Sequence, residues 1–320
     1  MSQDLQTISL EAKSPFEFRV NLGADTPESD VRTALATGDM GFLHSFTSGS
    51  IVDGPGVRVV GWTTGCQYRC LYCHNPDTWN MSNGIPVTLA RATEELRKYR
   101  HGLKIMSGGF TLSGGEPLMQ DRFVVKLFTA AKAMGIHTAL DSNGFLGSRL
   151  SDTELEQIDL VLLDLKMWDP ERHRHLTGMD NASVLPFARR LAERRRPIWV
   201  RFVLVPGLSD DAENIANIAS FSANLGNVER VDVLPFHQMG RFKWKELKLN
   251  YALNDVQPSS IEAVESACAQ FRLRASRFSN QMRRDLMVGN MQLEGCPKTD
   301  NYLYELTGVE LLSIVLSLRH

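Results

Sequence analysis

A short run rich in Val, Ile and Leu, followed by a longer amphipathic stretch, recurs six times along this chain. The apolar runs lie at 57–64, 109–113, 136–141, 160–165, 198–205 and 230–234. Helical periodicity fills 88–100, 121–134, 151–157, 182–195, 211–225 and 259–271. Strands alternating with helices predict right-handed βαβ units around a parallel sheet, an α/β fold. None of the six turns opens with Gly-x-Gly-x-x-Gly, which favours an incomplete (β/α)6 TIM-like barrel over a dinucleotide-binding fold. An open doubly wound sheet is the competing arrangement. Thr88 and Ser151 are N-cap candidates, and Ser151-Asp-Thr-Glu154 has the spacing of a capping box.

The six repeats occupy 41–276. Residues 1–40 form a polar leader expected to hold little fixed structure, and 277–320 an extension of unknown order with one helix candidate at 302–318. Over 320 residues, 43% are apolar and 22% charged, which excludes collagen, low complexity and disorder throughout. Lys and Arg number 35 against 37 Asp and Glu, so the chain lacks the basic footprint of a nucleic-acid binder. The longest apolar run, 311–318, falls short of the ~18–20 residues of a membrane span. The opening Met1-Ser-Gln-Asp-Leu5 carries no secretory pattern. The expectation is a cytoplasmic protein without a membrane partner.

Three of the five cysteines, Cys66, Cys70 and Cys73, fall within eight residues, while Cys268 and Cys296 stand alone. In a reducing compartment such crowding suits metal ligation better than bridging. Iron–sulfur clusters and zinc both accept thiolates. Structural zinc usually takes a fourth protein ligand, and His74 is awkwardly adjacent for that role. A four-iron cube held by three thiolates keeps one iron open to a cosubstrate. A non-catalytic, zinc-stabilised binding protein is the alternative.

The other reactive side chains share an address. Ser113-Gly-Gly-Glu-Pro117 follows the second strand, Asp141-Ser-Asn143 ends the third, and Asp164-Leu-Lys166 ends the fourth. Arg201 lies in the fifth and Pro235-Phe-His237 closes the sixth. Carboxyl ends of successive parallel strands form one rim, where barrel active sites are built.

Cys66-x-x-x-Cys70-x-x-Cys73, with Tyr72 before the last cysteine, resembles the motif of the radical S-adenosylmethionine (SAM) superfamily. Asp53-Gly-Pro-Gly-Val-Arg58, Tyr72-Cys-His-Asn-Pro-Asp77, Asp141-Ser-Asn-Gly-Phe145, Val205-Pro-Gly207 and Leu234-Pro-Phe-His237 narrow the likeness. From about 41 to 275 the chain is similar to the pyruvate formate-lyase activating enzymes, within the activases of glycyl-radical enzymes. The resemblance implies that Cys66, Cys70 and Cys73 hold a [4Fe–4S] cluster. It implies a SAM site of Tyr72, Cys73, His74, Gly115, Glu116, Asn143, Asp164, Leu165, Lys166 and His237, with Glu116 accepting from the SAM ammonium. A monovalent cation would take Asp141, Ser142, Leu162 and Asp164, with Ser142 where better-known relatives have threonine. Asp53 and Arg201 would meet the substrate's glycine loop.

The implied reaction passes one electron from the reduced cluster to SAM, releasing methionine and a 5′-deoxyadenosyl radical that takes hydrogen from a partner's glycine. No catalytic side chain is required, because the cofactors carry the chemistry. The implied partners are pyruvate formate-lyase and an electron donor such as flavodoxin or ferredoxin. Many activases of other glycyl-radical enzymes insert a cysteine-rich segment after the first motif. The absence of cysteine between Cys73 and Cys268 favours pyruvate formate-lyase.

Overall fold

A residue period of two decides which side of each strand faces the helices. In β7 (Ile198–Leu204), Ile198, Val200, Phe202 and Leu204 are buried on one face, while Trp199, Arg201 and Val203 take the other. The same alternation puts Leu163 beneath the helices and Asp164 on the opposite face of β6 (Leu160–Asp164). The computed structural model describes residues 28–282 and 292–294.

The remaining parallel strands are β2 (Arg58–Thr63), β4 (Gly109–Gly114), β5 (His137–Ser142), β8 (Val228–Pro235) and the short β9 (Gln292–Glu294). Two antiparallel strands extend one side of the sheet: β1 (Met40–Ser50) pairs with β2, and β3 (Ile85–Thr88) pairs with β1. The order in the single sheet is β3-β1-β2-β4-β5-β6-β7-β8-β9. From β2 to β8 each parallel strand lies beside its predecessor, so there is no point at which the winding reverses. That order excludes the doubly wound arrangement. The two ends of the sheet do not pair, which leaves the incomplete barrel expected from the six repeats.

The helices are α1 (Glu28–Thr37), α2 (Leu89–Ile105), α3 (Asp121–Ala133), α4 (Asp152–Leu155), α5 (Pro170–Thr177), α6 (Val184–Glu193), α7 (Ala212–Leu225), α8 (Arg241–Glu246) and α9 (Ile261–Met282). Thr88 caps α2 by accepting from Arg91 N at 3.2 Å, and Ser151 with Glu154 forms the capping box on α4. The main core lies between the outer sheet face and α2, α3, α6, α7 and α9. Phe271 of α9 packs against Phe202 of β7 with ring centroids 5.8 Å apart. Burying such a side chain is worth about 1.5–3 kcal/mol.

Several expectations need correction. α1 and the start of β1 fall inside the leader expected to lack structure, while residues 1–27 lie outside the described residues. The boundary at 276 falls inside α9, and β9, beyond it, joins the sheet. Cys268, read as an isolated thiol, is disulfide-bonded. Cys296 and the helix candidate at 302–318 lie outside the described residues.

Candidate active site

β2 ends at Thr63, and the chain turns through Gly65 (φ +93) into the cysteine loop. This loop has no ladder of its own, so its amides find acceptors elsewhere. Gly65 N and Cys66 N donate to the carbonyls of Thr78 (2.8 Å) and Trp79 (3.0 Å). Arg69 N and Leu71 N donate to Thr177 O (2.7 Å) and Leu176 O (3.0 Å), carbonyls at the end of α5 that the helix itself leaves unpaired. From α8, Trp244 Nε1 donates to Cys73 O at 2.8 Å. Five of the loop's backbone groups are thus fixed by neighbouring segments.

The Gly-Gly pair at the end of β4 presses against this loop. Gly114 has φ +119, and a Cβ there would lie 2.2 Å from Thr63 O. A Cβ on Gly115 would lie 2.4 Å from Gly65 O. Only glycine permits both approaches. Glu116 is held from within the protein. Its carboxylate is fully buried and accepts from Leu118 N (3.0 Å), Ser142 Oγ (2.9 Å) and Asn143 N (2.8 Å). It ties the ends of β4 and β5 together and is not among the residues that line the cavity.

A cavity of about 500 Å³ opens at the carboxyl rim. Its wall unites Cys66, Cys70, Cys73, Tyr72, His74 and Gly115 with Asn143, Asp164, Lys166 and His237. Asp53, Asp141 and Arg201 line the same space. Leu165 belongs instead to the outer core, and only its backbone remains near the rim; its amide donates to Arg201 O at 3.0 Å. The four expected cation ligands are not assembled. Ser142 Oγ donates to Glu116 and accepts from Gly144 N (3.0 Å), turned away from neighbouring Asp141, and neither it nor Leu162 is on the wall. In this structure the Asp141 and Ser142 side chains leave β5 on opposite sides, Asp141 toward the cavity and Ser142 toward Glu116.

Charge is arranged around two cations. Lys166 Nζ lies 2.8 Å from Asp164 Oδ2 and 5.5 Å from the Tyr72 ring centroid. Arg201 donates through Nη1 to Asp141 (3.1 Å) and through Nη2 to Val52 O (2.6 Å) and Asp53 (3.4 Å). Burial raises the Asp141 carboxyl and so does neighbouring Asp164, against the pull of Arg201. His74 and His237 stack at 4.2 Å. Burial lowers both, His74 to about 4, so each presents a neutral ring at pH 7.

The donor set fits an iron–sulfur centre. Burial, reinforced by Cys73 and Asp164, pushes the Cys70 thiol up to about 12, and burial raises Cys66 and Cys73 as well. Left alone these thiols stay protonated. A strongly cationic centre offsets the cost of three thiolates in so dry a loop. Three buried atoms of wall residues, the Tyr68 and Tyr72 hydroxyls and Arg201 Nε, lack a hydrogen-bond partner among the described residues, as suits a wall built for a polar ligand.

Sequence reasoning missed part of the wall and its supports. Thr47–Ser50 of β1, Trp62, Trp79, Val203 and Leu234 also line the cavity. Behind the loop, buried Lys243 of α8 donates to Asn75 Oδ1 (2.8 Å) and pairs with Asp77 (3.0 Å), which also meets His44 of β1 at 3.1 Å. The available signal was Lys243 between Phe242 and Trp244, a cation flanked by aromatic residues.

Residues 60–219 match the family described as the radical SAM superfamily. The chain is 44% identical over 234 residues to the pyruvate formate-lyase-activating enzyme of Staphylococcus epidermidis, across 71% of this chain and 93% of that relative. It is 43% identical over 228 residues to the pyruvate formate-lyase 1-activating enzyme of Escherichia coli, with the same 71% and 93% spans. Among solved structures, Streptococcus suis SuiB bound to precursor peptide SuiA shares the fold, with TM-score 0.52 and 16% identity over 74% of this chain and 48% of that one.

Proposed function

Because this chain belongs to the radical SAM superfamily and, within it, to the pyruvate formate-lyase-activating enzymes, we propose that it installs a glycyl radical on pyruvate formate-lyase under anaerobic conditions. One observation carries the reading. Three thiols, the Gly-Gly strand end, the Asp164–Lys166 pair and the His74–His237 stack line one cavity, together with Asp53 and Arg201. When bound, a reduced [4Fe–4S] cluster and SAM supply one-electron cleavage to methionine and a carbon radical that abstracts hydrogen.

The chain's own residues bind, orient and exclude water. Cys66, Cys70 and Cys73 hold the cluster. The Gly115 and Asn143 backbones receive the amino-acid end of SAM, where Gly115 leaves no side chain in the way. Asp164 and Lys166 meet its polar groups as a neutral pair, and Tyr72 closes that side. The neutral faces of His74 and His237 offer a stacking surface for the adenine. Asp53, poised on Arg201, accepts backbone N–H groups from the partner's glycine loop. The electron comes from a flavodoxin or ferredoxin, and the setting is the cytoplasm.

The test is electron paramagnetic resonance of pyruvate formate-lyase mixed anaerobically with this protein, SAM and dithionite. A glycyl doublet is expected. Its absence where the Escherichia coli relative produces one rejects the assignment. Cys70→Ala is expected to lose the cluster and all SAM cleavage, because two thiolates do not hold the cube. A full iron and sulfide content in that variant rejects the ligand set.

A further inference from the structure

The cavity side of the cysteine loop is given over to SAM and the glycine loop, so an electron carrier needs another approach. α8 lies behind the loop. Lys243 pins it to Asn75 and Asp77, and Trp244 Nε1 donates to the carbonyl of Cys73. Trp244 is buried and packs edge-on to Trp79, with centroids 5.1 Å apart. The outer side of the same segment is exposed and basic. Arg241, Lys245 and Lys248 all face solvent, and none has an ion pair among the described residues. Glu246 is the one exposed carboxylate between 241 and 250. Among these charges stand Phe242, Leu247 and Leu249, each 39–40% exposed. This is a positive, partly apolar patch on a chain whose formal charge is −2.

Resting on the function proposed above, we infer that the outer face of 241–249 is the docking surface for an acidic one-electron carrier protein. Charge complementarity selects the partner: three unpaired cations steer an acidic surface, and the apolar side chains give it a short dry contact. Docking there puts the carrier one side chain, Trp244, from the backbone of a cluster ligand. One electron leaves the carrier, which is oxidised by it, and enters the cluster, which is reduced by it; no bond or proton is exchanged.

The probe is a fully reduced flavodoxin, an acidic carrier, mixed anaerobically with the reconstituted holoenzyme. Binding is read by calorimetry and cluster reduction by stopped-flow absorbance. Charge reversal in the double variant Lys245→Glu, Lys248→Glu is expected to weaken binding and slow reduction by roughly tenfold or more at low salt. Reduction by dithionite, SAM affinity and glycyl-radical yield with dithionite are expected to match the wild type. The wild-type rate should fall as ionic strength rises. A variant reduced by flavodoxin at the wild-type rate overturns the surface, as does a wild-type rate indifferent to salt. The salt series decides even if the variant fails to assemble. Glycyl-radical formation with dithionite alone separates this outcome from the proposed function, which fails only if dithionite also gives no radical.

Discussion

Arg201 serves two carboxylates from distant parts of the chain, Asp141 at the end of β5 and Asp53 before β2. Asp53→Asn leaves Arg201 its bonds to Asp141 and Val52 O, and removes the charge that Asp53 shares with Arg201 and would offer to a glycine loop. Charge-assisted bonds of that kind are worth about 1.5–3 kcal/mol, so productive docking should weaken roughly ten- to hundredfold. SAM titration and glycyl-radical yield on one preparation check it: affinity unchanged, yield reduced. Equal loss in both would make Asp53 a structural residue. Glu116 yields a prediction in pH. Burial raises its carboxyl from an ordinary 4.5 to about 7. Between those values the folded protein keeps a proton that the unfolded chain has lost, so stability falls as pH rises through that window. The loss is on the order of 3 kcal/mol. Glu116→Gln should flatten much of the slope of thermal midpoint against pH, with Asp141, raised by the same cause, leaving a remainder. An unchanged slope would show that Glu116 does not titrate there. Glu116 also marks what a motif can disclose. Its position in the strand-end pattern was readable, but side-chain direction was not: whether Glu116 turns inward or outward is decided by Leu118, Ser142 and Asn143.

At the level of elements, what the chain announces depends on whether an element buries a regular stripe. Six of the seven parallel strands, β2 and β4 to β8, are apolar and sit under helices, and these were legible; β9, beyond the expected boundary at 276, was not. β1 was not, because Met40-Gly-Phe-Leu-His-Ser-Phe-Thr-Ser-Gly-Ser50 mixes glycine and serine into its run and slips register twice against β2. α5 escaped for the opposite reason. Pro170-Glu-Arg-His-Arg-His-Leu-Thr177 is nearly all polar, and its use is to present terminal carbonyls to Arg69 and Leu71. α8 is six residues long and is held by Lys243 and Trp244 rather than by a hydrophobic face. That attachment is testable. Lys243→Met strands Asp77 with His44 alone, and because Asp77 is partly exposed the cost should be about 1–3 kcal/mol rather than that of a fully buried pair. Adding Asp77→Asn should recover part of it. Hydrogen exchange in α8 measured around the double-mutant cycle checks the coupling, and purely additive effects would dissolve it.

Across the whole molecule, the cavity draws on residues from Thr47 to His237, and among the described residues nothing after 237 lines it. A chain ended at Met282 should therefore still assemble the cluster and cleave SAM. It forfeits β9, which pairs with Arg230, Val231 and Asp232, and its thermal midpoint should drop by roughly 5 °C. A truncated protein that folds but does not bind SAM would give the tail a role in the site. No helix among the described residues is long and apolar enough to cross a membrane. The parallel strands stop short of closure, and β1 toward one edge of the sheet and β8 toward the other both contribute to the cavity, through Thr47–Ser50 and through Leu234 and Pro235. A closed stave ring would admit only what could be dropped in from the top: a metabolite, or the free end of a thread. A ring with a missing stave can be slipped sideways over a bight of rope whose two ends stay tied. A reagent made inside could thus be brought to a residue within a folded chain, without cutting or unravelling it.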